Sequence, residues 1–300
     1  MKFSNVRLIT KSDTSEYNRG LALCTACYVL WGIFPLYWKL LENVPSLFIL
    51  ANRALWSAIF LTIFCVIWNR KTFIRVISNR TIVKHMLLSG TLITMNWGTF
   101  IYAVNNGYLI ESSLGYYINP LVNIVMGMVF FKERLNLYEK ISATLAFAGV
   151  MYMTFSYGSL PVISLALALT FSLYGVVKKK AGLPVVSALA LENIMILPVV
   201  FIYFTWTFAN TPETFHNLTV TETALLATGG LVTAVPLLMF AKAVKSISYI
   251  TVGFLQYIGP TLQLIIAVLV FHEKFSSSHW ICFGLIWAGL TVFTFSTVRK

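Results

Sequence analysis

Tyr117-Ile118-Asn119-Pro120 recurs further along the chain as Tyr257-Ile258-Gly259-Pro260, and Phe131-Lys132-Glu133 recurs at the same offset as Phe271-His272-Glu273. The register runs without a gap from Trp97–Ser156 onto Leu237–Ser296, with 16 of the 60 positions identical. Phe100/Phe240, Ala103/Ala243, Gly149/Gly289 and Thr154-Phe155-Ser156/Thr294-Phe295-Ser296 are among them. A shared apolar bias explains isolated matches but does not readily put Y-I-x-P and F-x-E at one spacing. A period close to half the chain reads as two homologous halves.

The medium around those halves follows from composition. Of 300 residues 58% are hydrophobic and 11% charged, and the mean hydropathy is +0.79. A soluble domain carries roughly a quarter charged residues, so lipid is the solvent that suits this surface. Hydrocarbon about 30 Å thick takes roughly 20 helical residues. Apolar runs of that order fall near 20–38, 47–68, 86–104, 109–131, 137–156, 160–177, 186–206, 222–243, 247–271 and 279–297. They are too long for barrel strands and do not alternate. The expected fold is therefore all-α and integral to a membrane, with ten transmembrane helices. Residues 1–19 form a tail, 20–156 the first repeat (spans 1–5) and 160–297 the second (spans 6–10).

Charge sorts with the same count. The net charge is +12, and 19 of the 22 basic residues fall in the tail, in the even-numbered loops and at the C-terminal Arg299-Lys300. Lys39 and Lys274 fall on the other side, and Arg53 lies within a span. This asymmetry puts both termini in the cytoplasm and accounts for the basic balance without nucleic acid. Because each half has five spans, the second enters the membrane upside down relative to the first. Inverted bundles can exchange conformations so that a central cavity opens to one side and then the other. The apolar run after residue 19 is long enough to be retained as a helix rather than cleaved.

Polar residues inside spans are costly unless paired or wet. Arg53 and Glu192 each sit eight residues past a proline, Pro45 and Pro184, and are mates of opposite sign. They read either as a substrate- or proton-linked pair, or as a structural salt bridge or side chains reaching for headgroups. Glu111 joins Glu192 as a proton-coupling candidate. Trp31, Asn96, Trp97, Tyr102, Tyr116, Tyr117, Asn119, Gln256, Tyr257 and Gln263 are candidates for a wet cavity wall, against the alternative of interhelical hydrogen bonding. Pro120 and Pro260 each remove a backbone donor within a span and mark candidate kinks.

Cys24, Cys27, Cys65 and Cys282 lie in apolar runs and read as packing residues. No histidine has metal-ligand spacing, and neither a metal nor a cofactor is expected. Nothing resembles a phosphate-binding G-x-x-x-x-G-K-[ST] loop. An intramembrane enzyme acting on lipid or peptide is the alternative class. Asp13 is the chain's only aspartate, which leaves no aspartyl dyad.

Tyr28-x-x-Trp31-Gly32-x-x-Pro35-x-Tyr37-Trp38-Lys39, Asn96-Trp97, Ala103-Val104-Asn105, Ser113 through Asn123, Lys132-Glu133-Arg134-Leu135 and Gly253 through Gln263 together resemble RarD-type proteins. These form part of the EamA branch of the drug/metabolite transporter superfamily. The resemblance covers nearly the whole chain. It implies ten helices, two EamA repeats, a bacterial inner-membrane location and a permease or exporter of small metabolites or drug-like solutes. His272-Glu273-Lys274 departs from the Gly-Glu-Pro type of turn common in relatives. The expected partners are a small-molecule substrate, the lipid bilayer and, in a homo-oligomer, a second copy of the chain.

Overall fold

A computed structural model describes residues 11–105, 109–157, 162–270 and 277–298. The described residues form thirteen helices and no strand: α1 Lys11–Lys39, α2 Ser46–Trp68, α3 Arg70–Ser78, α4 Arg80–Asn105, α5 Leu109–Phe131, α6 Leu137–Tyr157, α7 Val162–Ala181, α8 Val185–Asn210, α9 Glu213–His216, α10 Val220–Ser246, α11 Tyr249–Gln256, α12 Ile258–Leu269 and α13 Ser277–Val298. Among the described residues seven segments are long and apolar enough to cross a membrane: Ser15–Lys39, Ser46–Trp68, Leu114–Phe131, Val162–Ala181, Val185–Asn210, Val220–Ser246 and Tyr249–Leu269. Ten were expected. α4 and α6 lie on expected runs, but Arg80, Lys84 and His85 dilute the first and Glu139 and Lys140 the second. In α13 the apolar helix is the shorter Trp280–Phe295.

The outer faces carry exposed Ile67, Trp68, Phe155, Ile202, Leu269 and Phe295. In water such a surface would associate; against acyl chains it is solvated. Residues 70–84, expected as a loop, are mostly helical. α3 buries Phe73 and Val76 and exposes Arg70, Lys71 and Arg75, and Asn79 Oδ1 caps α4 by accepting from Thr81 N at 3.0 Å and Ile82 N at 3.2 Å. A capping box, Thr219 with Glu222, starts α10.

Helix pairs pack antiparallel and reciprocally. On α6 and α13, a Cβ at Gly149 would come within 2.8 Å of Cys282 O, and one at Gly289 within 2.8 Å of Ser142 O. Moving either contact by the repeat offset produces the other. On α2 and α8, the Phe48 and Phe204 rings are 5.5 Å apart while Cys65 Sγ lies 3.9 Å from Ser187 Oγ. These too are one contact and its mate, with the register one position shorter. α1 touches α10 through Cys27 Sγ, which donates to Pro236 O at 3.2 Å. α7 touches α4 through Asn96 Nδ2, which donates to Leu167 O at 2.8 Å, the mate of that contact. Small residues make the approaches possible: at Gly230 a Cβ would collide with Trp56 Cβ and come within 2.7 Å of Ser57 N.

Candidate functional site

Reciprocal packing leaves a hollow of about 510 Å³ between α1, α2, α4, α5, α7, α10 and the α11–α12 pair. That is the size of a small-molecule site. It runs from Tyr28, Asn119 and Gln256 in the middle of the bundle to Trp38 and Ser46 at the end bearing Lys39. Trp31, Asn96, Trp97, Tyr116, Asn119, Gln256 and Gln263, all expected on a cavity wall, line it, and so do Arg53 and Pro260. Trp31 and Phe171, mates in the repeat, meet edge-on at 5.8 Å across it.

Arg53 supplies the cavity's positive charge. Its Nε donates to Thr233 Oγ1 at 2.8 Å, and Thr233 in turn donates to Gly229 O. The guanidinium carbon stands 4.7 Å from the Trp38 ring centroid and 6.0 Å from that of Trp97. Among the described residues no carboxylate lies within ion-pair distance of it.

Glu192 is not its partner. The carboxylate is 1% exposed and 2.5 Å from Lys178 Nζ, itself 5% exposed. Ser89 Oγ donates to Glu192, and Tyr174 OH approaches at 3.5 Å. The antiparallel register of α2 on α8 explains the separation. It sets Arg53 level with Val199, two helical turns from Glu192, or about 10 Å along the axis. Mates related in this way face opposite ends of the bundle.

Asn119 and Gln256 line the cavity and also bond between helices. Asn119 Nδ2 donates to Ala168 O at 3.0 Å, and Gln256 Nε2 donates to Asn119 Oδ1 at 2.5 Å. Asn123 Nδ2 donates to Gln256 Oε1 and, at 3.3 Å, to Asn119 Oδ1. The amides thus tie α5 to α7 and α11, and the two readings offered for them are compatible.

Other expected residues lie elsewhere. Tyr257 is 1% exposed, packed with Leu114 and Ile286, and its hydroxyl donates to Tyr117 O at 3.3 Å. Tyr117 meets Phe283 edge-on at 5.1 Å instead of facing the hollow. Self-mates on the axis of reciprocity touch each other, so these two are packing residues. Tyr102 is 55% exposed on the outer surface. The side chain of Glu111 lies outside the described residues. Pro120 sits inside the unbroken α5, whereas the helix carrying Pro260 is interrupted at Tyr257. Pro260 has no N–H for the Gln256 carbonyl. All four cysteines are free and buried.

At the opposite end of the bundle one carboxylate joins α5 to α7 and α11. Lys132 adopts φ 54°, and Glu133 N donates to Gly127 O at 3.2 Å, a left-handed stop that turns the chain back. Glu133 then accepts from Tyr249 N and Ile250 N, each at 2.8 Å, at the start of α11. An acidic group there is favoured by the helix dipole. Lys179 Nζ lies 3.3 Å from Glu133 Oε1 and donates to Ile247 O at 2.6 Å.

Comparison with known proteins agrees with this geometry. The model of the EamA-like transporter family matches twice, over residues 18–155 and 160–295. The chain belongs to the EamA-like transporter family. Within it, the chain is a RarD-type protein: it is 38% identical to the protein RarD of Escherichia coli K12, with 95% of this chain and 97% of that one covered. It is 41% identical to the uncharacterized transporter YojE of Bacillus subtilis, covering 95% and 96%. One solved crystal structure shares the fold at a TM-score of 0.72 and 16% identity, covering 94% of this chain and 99% of the other. The EamA chain is thus a multi-pass membrane protein and a membrane transporter.

Several residues of this EamA cavity escaped the sequence reading. Thr233, Phe171 and Phe100 line it, Trp38 flanks Arg53, and Lys178 is the partner of Glu192. Phe171 is the repeat mate of Trp31, so extending the repeat alignment into the first span would have found it. Lys178 carried no signal, since it looked like one member of a basic loop.

Proposed function

We propose that the chain is a secondary carrier, a permease or exporter, moving a small metabolite or drug-like solute across the bacterial inner membrane by alternating access. In this reading ten spans form two inverted five-helix repeats with both termini in the cytoplasm. The observation that carries it is a hollow of about 510 Å³ that reaches one end of the bundle, while Glu133 and Lys179 fasten the other. Reciprocal antiparallel contacts support it further, because a bundle built this way has a second conformation with the ends exchanged. The protein then needs no chemistry on its substrate, and an ion gradient or the solute's own gradient drives the cycle.

The test is transport by purified protein in sealed vesicles, using a panel of labelled metabolites and antibiotics. Movement of a solute by the wild type, and its loss in Asn96→Ala or Trp97→Ala vesicles, is the expected result. Hydrolysis of lipid or peptide without movement of any solute would overturn it.

A further inference from the structure

The cavity's polar groups are unequally occupied, and the inequality indicates what it holds. Asn119 and Gln256 spend their amides on each other, on Asn123 and on Ala168 O. Arg53 does not: of its guanidinium nitrogens Nε is used, on Thr233, and its two terminal amino groups carry no hydrogen bond to the described residues. A cation within a span is costly and is ordinarily neutralised by a partner, as Lys178 is by Glu192 in this molecule. Arg53 has no such carboxylate among the described residues, although it lines the hollow. Thr233 fixes its Nε edge and Trp38 covers it at 4.7 Å, so the fork of terminal donors is held rather than free to swing.

A planar fork of donors matches a pair of anionic oxygens. Beyond it the wall is indole and phenyl, with Trp31, Trp97, Phe100 and Phe171 presenting apolar faces. We infer that Arg53 is the anion-binding residue of this cavity and that the transported solute is an amphipathic organic monoanion, a carboxylate or sulfonate on a flat apolar body. The inference rests on the carrier reading and narrows its substrate class. The solute's acid group replaces the missing partner of Arg53 while its body stacks on the aromatic wall. Among the described residues nothing compensates that charge in the unloaded carrier, which favours crossing with cargo.

The probes are 2-naphthylacetate, its uncharged counterpart 2-naphthylacetamide and the cation 2-naphthylmethylamine, which share one apolar body. Each is titrated against the detergent-solubilised full chain, with thermal stability and tryptophan fluorescence as readouts, since a ligand of the folded form raises Tm. The acid is expected to bind at least tenfold more tightly than the amide, with the amine weakest. Arg53→Gln is expected to abolish that preference, and Arg53→Lys to retain part of it. The acid–amide comparison needs no variant, so a misfolded Arg53→Gln does not spoil the test. Equal binding of acid and amide, no binding of the acid, or an acid preference that survives in folded Arg53→Gln overturns the inference. Vesicle transport separates the two readings. Acid that binds through Arg53 but does not cross sinks the carrier and spares the anion site. Uncharged solutes that cross equally well in wild type and Arg53→Gln sink the anion site and spare the carrier.

Discussion

At the scale of single residues, buried charge and missing side chains set the strongest constraints. Lys178 and Glu192 are nearly sealed from solvent 2.5 Å apart, so removing one strands the other. Breaking such a pair costs about 3–5 kcal/mol, whereas replacing both members with apolar residues of similar size is often tolerated. Glu192→Leu alone should therefore lower Tm in detergent sharply, and Lys178→Met/Glu192→Leu should regain most of it. Transport by the stable double variant then reports whether the pair has a part in proton coupling. A second constraint is at Gly230, where a side chain would collide with the Trp56 and Ser57 backbone of α2. Backbone cannot step aside, so Gly230→Val should destabilise by about 1–3 kcal/mol, read as a lower Tm and a smaller folded yield. Some of this residue-scale picture was legible in the sequence. Arg53 and Glu192 stood out because charges in apolar runs are rare. Their partners did not, because Thr233 and Lys178 come from other helices and no local spacing links them. For Tyr257 the sequence leaves cavity and packing roles open for a related reason: phenols both line cavities and fill cores, and periodicity does not say which face of a helix meets its own mate.

At the scale of elements, the two proline helices have diverged. α5 runs unbroken through Pro120, while α11 and α12 are separate helices meeting at Tyr257. The break lies beside Gln256 and Pro260, both on the cavity wall, where the proposed alternating-access cycle would need a hinge. Pro260→Ala restores a donor to the Gln256 carbonyl and should slow vesicle transport more than Pro120→Ala, with both proteins folded; equal effects would remove the hinge role. The start of α11 is a second element-scale device. Glu133 accepts both of its first N–H groups, so Glu133→Ala should speed hydrogen exchange at Tyr249 and Ile250 while leaving α13 amides unchanged. Helices this apolar were readable from residue counts alone. α3 was not, because a short amphipathic helix rich in Arg and Lys resembles a basic loop. Among the described residues seven helices are long and apolar enough to span; α4 and α6, which also lie on expected runs, mix charges into their ends, and α13 has a shorter apolar core.

At the scale of the whole molecule, the constant offset that carries Tyr117 onto Tyr257 is the most informative feature of the sequence. Cys27–Pro236 and Asn96–Leu167, or Gly149–Cys282 and Gly289–Ser142, are the same contact made twice. Repeat alignment relates the two halves before any coordinates, but it shows neither which helices touch nor where the halves leave space. The hollow lies toward the end away from the turn at Lys132 and from the reach of Lys179 across to Ile247. The inversion itself has a direct test. Glu42 and Lys180 are both exposed, Glu42 in the turn after α1 and Lys180 at the corresponding end of α7. In intact cells, a membrane-impermeant maleimide should label Glu42→Cys from outside and reach Lys180→Cys only once the cells are opened. Labelling of both from the same side would contradict inverted halves, and alternating access through this bundle with them.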